Sequence, residues 1–200
     1  MSDVAGRLVD YYEREMAERA RRPLGDDRER RLAAFVDTAR REELASVVEV
    51  GCGAGRDGVV LAAAGLAYTG LDLTPAAVEL CRTLGLDAHV GPATALPFDT
   101  GSFDAGWSMS TLMHLPGDDI VSALAELRRV VRQGGLLEVG VWGSDTSHEW
   151  TDDGGRYFRS RTDDELVDLL AAVGEVVAFD TWSRFADGGH YQWARVVVGG

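Results

Sequence analysis

From Val47 onward the chain alternates short apolar runs with amphipathic segments, and no other feature restricts its fold so strongly. The runs cover residues 47–50, 67–71, 88–90, 103–107, 136–141, 175–179 and 193–198. Apolar runs of this length read as strands buried on both faces, and amphipathic segments between them read as covering helices. Those segments lie near 56–64, 75–84, 118–131 and 163–173. Thr74 is the expected N-cap of the second, with Pro75 at its first position and Gly85 as its stop. Thr162 and Glu165 form a TxxE capping box ahead of the fourth, which Gly174 ends.

Strands that alternate with helices run parallel, because each helix returns the chain to the same edge of the sheet. The final link breaks this rule. Residues 181–189, with Gly188 and Gly189, show no helical pattern, and so short a connection joins antiparallel neighbours. The expected fold is therefore α/β: a doubly wound, seven-stranded, mostly parallel sheet with one reversed strand near its edge. Two helices precede it, over 4–22 and 27–43, separated by Pro23 and Gly25. The first carries Leu8, Tyr11, Tyr12 and Met16 at near-helical spacing. At 200 residues the whole is one ordinary domain.

The glycine-rich stretch VVEVGCGAGRDG (47–58) is the first candidate site. A turn between the first strand and its helix sets backbone N–H groups and a helix N-terminus at the crevice where such sheets bind ligands. Glycines at 51, 53 and 55 let backbone approach closely, whereas Gly58 falls inside the helix and serves packing against the sheet. Asp72 ends the second strand, where a carboxylate accepts both ribose hydroxyls of an adenosine. These features alone suit NAD as well as S-adenosylmethionine.

Composition removes several rivals. All 20 basic residues are arginine, so no Schiff-base lysine, Walker A lysine or Tyr-x-x-x-Lys pair exists. The net charge of −13 opposes binding to nucleic acid. Cys52 and Cys81 have no metal-ligand spacing, and no metal is expected. No membrane-spanning or targeting segment is legible, so the expected setting is cytoplasmic, with small molecules as partners.

Five separated motifs decide between the cofactors. EVGCGAG (49–55), YTGLDLTP (68–75), LPF (96–98), SFD (102–104) and RVVRQGGLL (129–137) occur in order, and together they resemble the class I S-adenosylmethionine-dependent methyltransferases of the small-molecule type. The resemblance runs from Val47 to Val198. It implies a Rossmann-like sheet of order 3-2-1-4-5-7-6 with strand 7 antiparallel. It further implies a helical lid over 1–45 and a cofactor-binding core over 46–200. On this resemblance Glu49 orients the methionyl ammonium through the loop, Gly51 and Gly53 allow close approach, Asp72 takes the ribose and Leu73 lies on the adenine. Ala93 and Thr94 meet the adenine edge, and Ser108 and Met109 lie beside the methionyl group. Tyr11, on the lid helix, would hold the cofactor carboxylate with Arg56. The family's acidic residue after the third-strand glycine is missing, because Gly91 is followed by Pro92. A non-catalytic, S-adenosylmethionine-binding protein is the alternative that this departure keeps open.

Methyl transfer from a sulfonium to an O, N or C atom requires alignment first, and a base only where the acceptor must lose a proton. His114, beyond the fourth strand, is the candidate base. Tyr12, His148, Trp150 and Tyr157 are the candidate acceptor contacts. The last three lie in a polar segment, 143–161, that reads as a long loop beside the crevice.

Overall fold

The computed structural model describes residues 3–183 and 190–200. Two helices, α1 (Asp3–Arg19) and α2 (Asp26–Arg41), lead into β1 (Ser46–Val50), α3 (Arg56–Ala63), β2 (Ala67–Asp72), α4 (Pro75–Thr83) and β3 (Asp87–Val90). After β4 (Phe103–Met109), a 3-10 turn (Leu112–His114) and α5 (Asp119–Val130) follow, then β5 (Val131–Gly143). The chain continues through β6 (His148–Thr151), β7 (Tyr157–Ser160), α6 (Asp163–Ala171), β8 (Gly174–Ser183) and β9 (His190–Val198).

Seven strands form one sheet in the order β3-β2-β1-β4-β5-β9-β8. The first five run parallel, and β9 is antiparallel to both β5 and β8. Counted within this sheet alone, the order is 3-2-1-4-5-7-6 with the seventh strand reversed, as expected. The link expected over 181–189 differs at its start, because Thr181 to Ser183 extend β8; residues 184–189 lie outside the described residues.

Strand alternation builds the two faces. On β1, Val48 and Val50 pack with Val139, Leu127 and Leu166 beneath α5 and α6, while Val47 packs with Phe35, Leu61 and Trp107 beneath α2 and α3. Phe35 and Trp107 are fully buried, with ring centroids 4.9 Å apart. Truncating such a ring typically costs about 3–5 kcal/mol.

The helix ends follow their local chemistry. The Thr162–Glu165 capping box is formed, and Gly85 takes φ +77° just beyond α4. Thr74 occupies the N-cap of α4 without a side-chain cap bond, and its backbone N–H instead donates to Asp72. Gly58 is needed for packing, since a Cβ there would stand 2.6 Å from the Tyr68 ring.

One expectation is corrected. The segment after β5 is not a long loop, because β6 and β7 pair as an antiparallel hairpin. Asp152 closes its turn by accepting from Gly155 N–H and from Arg156, and Gly155 supplies φ +86°. Phe158 anchors the hairpin: it stacks between Trp142 and Trp150 at 5.0 Å and 10° on either side, and it is 2% exposed.

Candidate functional site

The C-terminal ends of β1, β2 and β4 open into a cavity of about 860 Å³, roofed by α1 and the start of α2. That volume falls in the range of small-molecule sites, roughly 300–1,000 Å³. Its floor is the glycine loop, Asp72 to Thr74, Gly91 to Thr94 and Met109 to Thr111.

The loop glycines have separate reasons to be glycine. Gly51 has φ +85°, and a Cβ on it would lie 1.9 Å from Thr111 Oγ1, so the loop after β4 demands it. Gly53 has φ +49° and faces open space, with no heavy atom within 4 Å of a built Cβ. Gly53 is thus the position where backbone lies bare to the cavity. Its N–H donates to Asp72 Oδ2 at 2.9 Å, and Thr74 N–H donates to Asp72 Oδ1 at 2.9 Å. Each carboxylate oxygen therefore holds one backbone bond, and a carboxylate has about four acceptor positions. Burial pushes the Asp72 carboxyl up, and the backbone N–H groups oppose that shift.

Glu49 stands behind the loop, 2% exposed, accepting a 2.6 Å bond from Tyr68 Oη. Burial, reinforced by Asp57, holds its carboxyl well above the usual carboxylate range. Asp57, in the first turn of α3, accepts from Arg28 Nε at 2.7 Å and Trp107 Nε1 at 2.6 Å, which joins α2, α3 and β4 beneath the site. This network puts one arginine and two carboxyls under the cavity floor in a dry setting, where such interactions are strong.

On the far wall, His114 is 7% exposed. Its Nδ1 lies 2.8 Å from the Tyr157 carbonyl, which can only accept, so Nδ1 carries the proton. Nε2 of the neutral ring then accepts from Tyr12 Oη at 3.1 Å. Burial lowers the His114 pKa to about 4, and it raises that of Tyr12 against the opposing charges of Arg19 and Arg156.

Of the residues expected from sequence, Tyr12, Glu49, Gly51, Gly53, Arg56, Asp72, Leu73, Ala93, Thr94, Met109 and His114 all line this cavity. Arg56 gives one guanidinium nitrogen to the carbonyls of Arg22 and Pro23, so it also ties down the turn between α1 and α2. Five expectations are corrected. Tyr11 lies outside the lining: its ring takes the Arg156 guanidinium at 4.5 Å and backs on Gly154, because one helical step turns it from Tyr12's face to the hairpin. Ser108 is fully buried and donates to the Val50 carbonyl within the sheet, and Ser110, two residues on, reaches the cavity instead. His148 stacks on Trp150, and that pair belongs to the outer end of the hairpin's ring stack. Tyr157 donates from Oη to Glu149, so only its carbonyl serves the site, through His114.

Sequence reasoning missed the arginines and rings brought in from distant elements: Arg19, Arg28, Arg31 and Arg156, with Trp182 and Tyr191. Periodicity places these residues on elements but does not aim them at a common point. The left-handed Ser110, φ +58°, was equally invisible, since a serine there carries no signal.

Residues 48–139 match the family described as a methyltransferase domain, a span that contains the glycine loop, Asp72 and His114. The chain is 36% identical over 103 residues to 2-methyl-6-phytyl-1,4-hydroquinone methyltransferase of Synechocystis, covering 48% of this chain and 32% of that protein. It is 35% identical over 130 residues to a phthiotriol/phenolphthiotriol dimycocerosates methyltransferase of Mycobacterium tuberculosis, covering 58% and 46%. The chain spans less than half the length of the curated relatives it matches. The fold is shared with the Burkholderia thailandensis 1,6-didemethyltoxoflavin-N1-methyltransferase, crystallised with 1,6-didemethyltoxoflavin and S-adenosylhomocysteine. That likeness has a TM-score of 0.79 at 21% identity, over 100% of this chain and 92% of that one. Among the described residues, no helix is long and apolar enough to cross a membrane.

Proposed function

We propose that the protein transfers a methyl group from S-adenosylmethionine to an O, N or C atom of a small-molecule acceptor, releasing S-adenosylhomocysteine. The observation that carries this reading is the Asp72 carboxylate at the cavity floor. Each of its oxygens is anchored by one backbone N–H, with acceptor positions beyond that for a pair of vicinal hydroxyls.

The residues present suit an adenosine-containing sulfonium. Asp72 holds the ribose, Gly53 leaves the backbone open to the methionyl chain, and Leu73, Ala93 and Thr94 border the adenine. Pro92 lines the cavity but has no N–H, so contacts to the adenine edge fall to Thr94. Arg19, whose Nε is buried with no hydrogen-bond partner among the described residues, takes the cofactor carboxylate in place of Tyr11. Residues 1–45 act as the lid, since α1 packs Met16 against Ala54 of the loop and Ala77 of α4. Bound, the sulfonium supplies an activated methyl group and a neutral leaving sulfide. The protein's task is to align the acceptor and exclude water.

His114 serves that task through Tyr12. Its neutral ring fixes the direction of the Tyr12 hydroxyl, and its pKa near 4 suits it to take a proton only from a strongly acidic species. An acceptor oxygen becomes one as its bond to carbon forms. His114 does not ionise an alcohol in advance. The net charge of −13 supports a small-molecule rather than nucleic-acid acceptor, and the two free cysteines support a cytoplasmic setting.

The test is incubation with S-adenosylmethionine and panels of small hydroxyl- and amine-bearing acceptors, with S-adenosylhomocysteine release as the readout. Turnover that drops in Tyr12→Phe while S-adenosylhomocysteine still binds supports the reading. Binding of NADH in preference to S-adenosylhomocysteine refutes it, and cofactor binding without turnover of any acceptor supports the non-catalytic alternative.

A further inference from the structure

Three tryptophans pack around the α2 side of the sheet, and two of them satisfy their indole N–H with a buried carboxylate. Trp107 Nε1 donates to Asp57 at 2.6 Å, and Trp193 Nε1 donates to Glu138 at 2.8 Å. Trp182 is the exception. Its Nε1 is buried and has no hydrogen-bond partner among the described residues, and the residue lines the cavity. Folded proteins rarely leave a buried donor unpaired, because its lost hydration is not returned.

The surroundings of Trp182 specify what would pair with it. The Arg31 guanidinium lies 4.0 Å from the Trp193 ring centre and 5.2 Å from that of Trp182. Tyr191 packs on Trp182 with ring centres 5.0 Å apart, and Tyr191 Oη meets Ser110 Oγ at 3.0 Å. Ser110 holds the left-handed conformation, φ +58°, which a non-glycine residue adopts at a cost and which concentrates at functional positions. Ser110, Arg31, Trp182, Trp193 and Tyr191 all line the same cavity. Ring faces with an arginine among them favour a flat π-system, and an unpaired N–H donor at their edge calls for an acceptor oxygen.

We infer that Trp182, Tyr191, Arg31 and Ser110 form the methyl-acceptor subsite, and that it takes a flat aromatic or heteroaromatic ring bearing a carbonyl or carboxylate oxygen, bound to Trp182 Nε1. This rests on the methyl-transfer reading and names the acceptor class within it.

The experiment titrates 2-naphthoate and 4-quinolone, with 2-naphthylamine as a ring lacking the oxygen, into the full chain with and without saturating S-adenosylhomocysteine. Binding is followed by calorimetry and by the indole N–H resonances of the five tryptophans. Trp182→Phe keeps a smaller aromatic face, removes the donor and assigns the Trp182 resonance. The inference expects saturable binding of both oxygen-bearing rings, a downfield shift of the Trp182 indole proton in the wild type, and about tenfold weaker binding in Trp182→Phe with S-adenosylhomocysteine affinity unchanged. An indole proton that does not move, equal binding by the variant, or preference for 2-naphthylamine overturns it. If S-adenosylhomocysteine fails to bind while the rings still shift Trp182, the cofactor reading falls and the ring subsite stands.

Discussion

Tyr12 and His114, 102 residues apart in sequence, meet through a hydrogen bond from the tyrosine hydroxyl to Nε2 across the cavity wall. The bond joins the roof helix α1 to the turn after β4, and the Tyr157 carbonyl of the hairpin fixes its direction. Three separate elements are therefore registered against one another at one wall of the cavity.

This arrangement makes stability depend on pH. His114 titrates near 6.5 when unfolded and near 4 when folded, so the unfolded chain binds the extra proton between those values. Its contribution is fully present above about pH 6.5 and declines as pH falls toward 4. The gap corresponds to about 3 kcal/mol. Urea unfolding at a series of pH values should show this decline in the wild type and a flatter profile in His114→Asn. Identical profiles would contradict the buried neutral imidazole.

Gly51 and Gly53 should respond differently to the same substitution. Gly51→Ala sets a Cβ on Thr111 Oγ1 and strains φ, so it should cost about 2–3 kcal/mol in urea unfolding. Gly53→Ala meets no atom and strains only its backbone, costing about 1 kcal/mol. Its effect should appear instead as at least tenfold weaker S-adenosylhomocysteine binding by calorimetry. Equal stability losses with unchanged affinity would show that the loop does not hold the ligand.

Glu49 should release a proton when the cofactor binds. Its carboxyl is raised well above the carboxylate range in the free protein, and a cationic ammonium placed near it favours the ionised form. Affinity should therefore rise with pH until the free carboxyl ionises. Calorimetry in buffers of differing ionisation enthalpy measures the proton count, which should vanish in Glu49→Gln. Proton uptake would contradict the assignment.

The parts of this molecule written in local pattern were legible in its sequence. The sheet strands are short apolar runs, Gly85 and the Thr162–Glu165 box mark helix ends, and Asp72 falls where a strand stops. The hairpin was not legible, because its four-residue strands are polar and their pairing depends on Phe158 stacking with Trp142 and Trp150. Tyr12 and Tyr11 are equivalent in sequence, and only the packing of α1 on α4 decides which one enters the cavity. Trp182 and Arg31 lie 151 positions apart (182 − 31) and meet only once the reversed strand β9 has formed.

The most direct test of the account is calorimetric titration of S-adenosylhomocysteine into the wild type and Asp72→Asn. The asparagine keeps one acceptor oxygen for one of the two backbone N–H groups and turns an amide NH2 donor toward the other, so circular dichroism of the variant should first show the fold retained. The account predicts saturable one-to-one binding by the wild type, weakened at least tenfold in the variant. No binding by the wild type, or equal binding by both proteins, would contradict it.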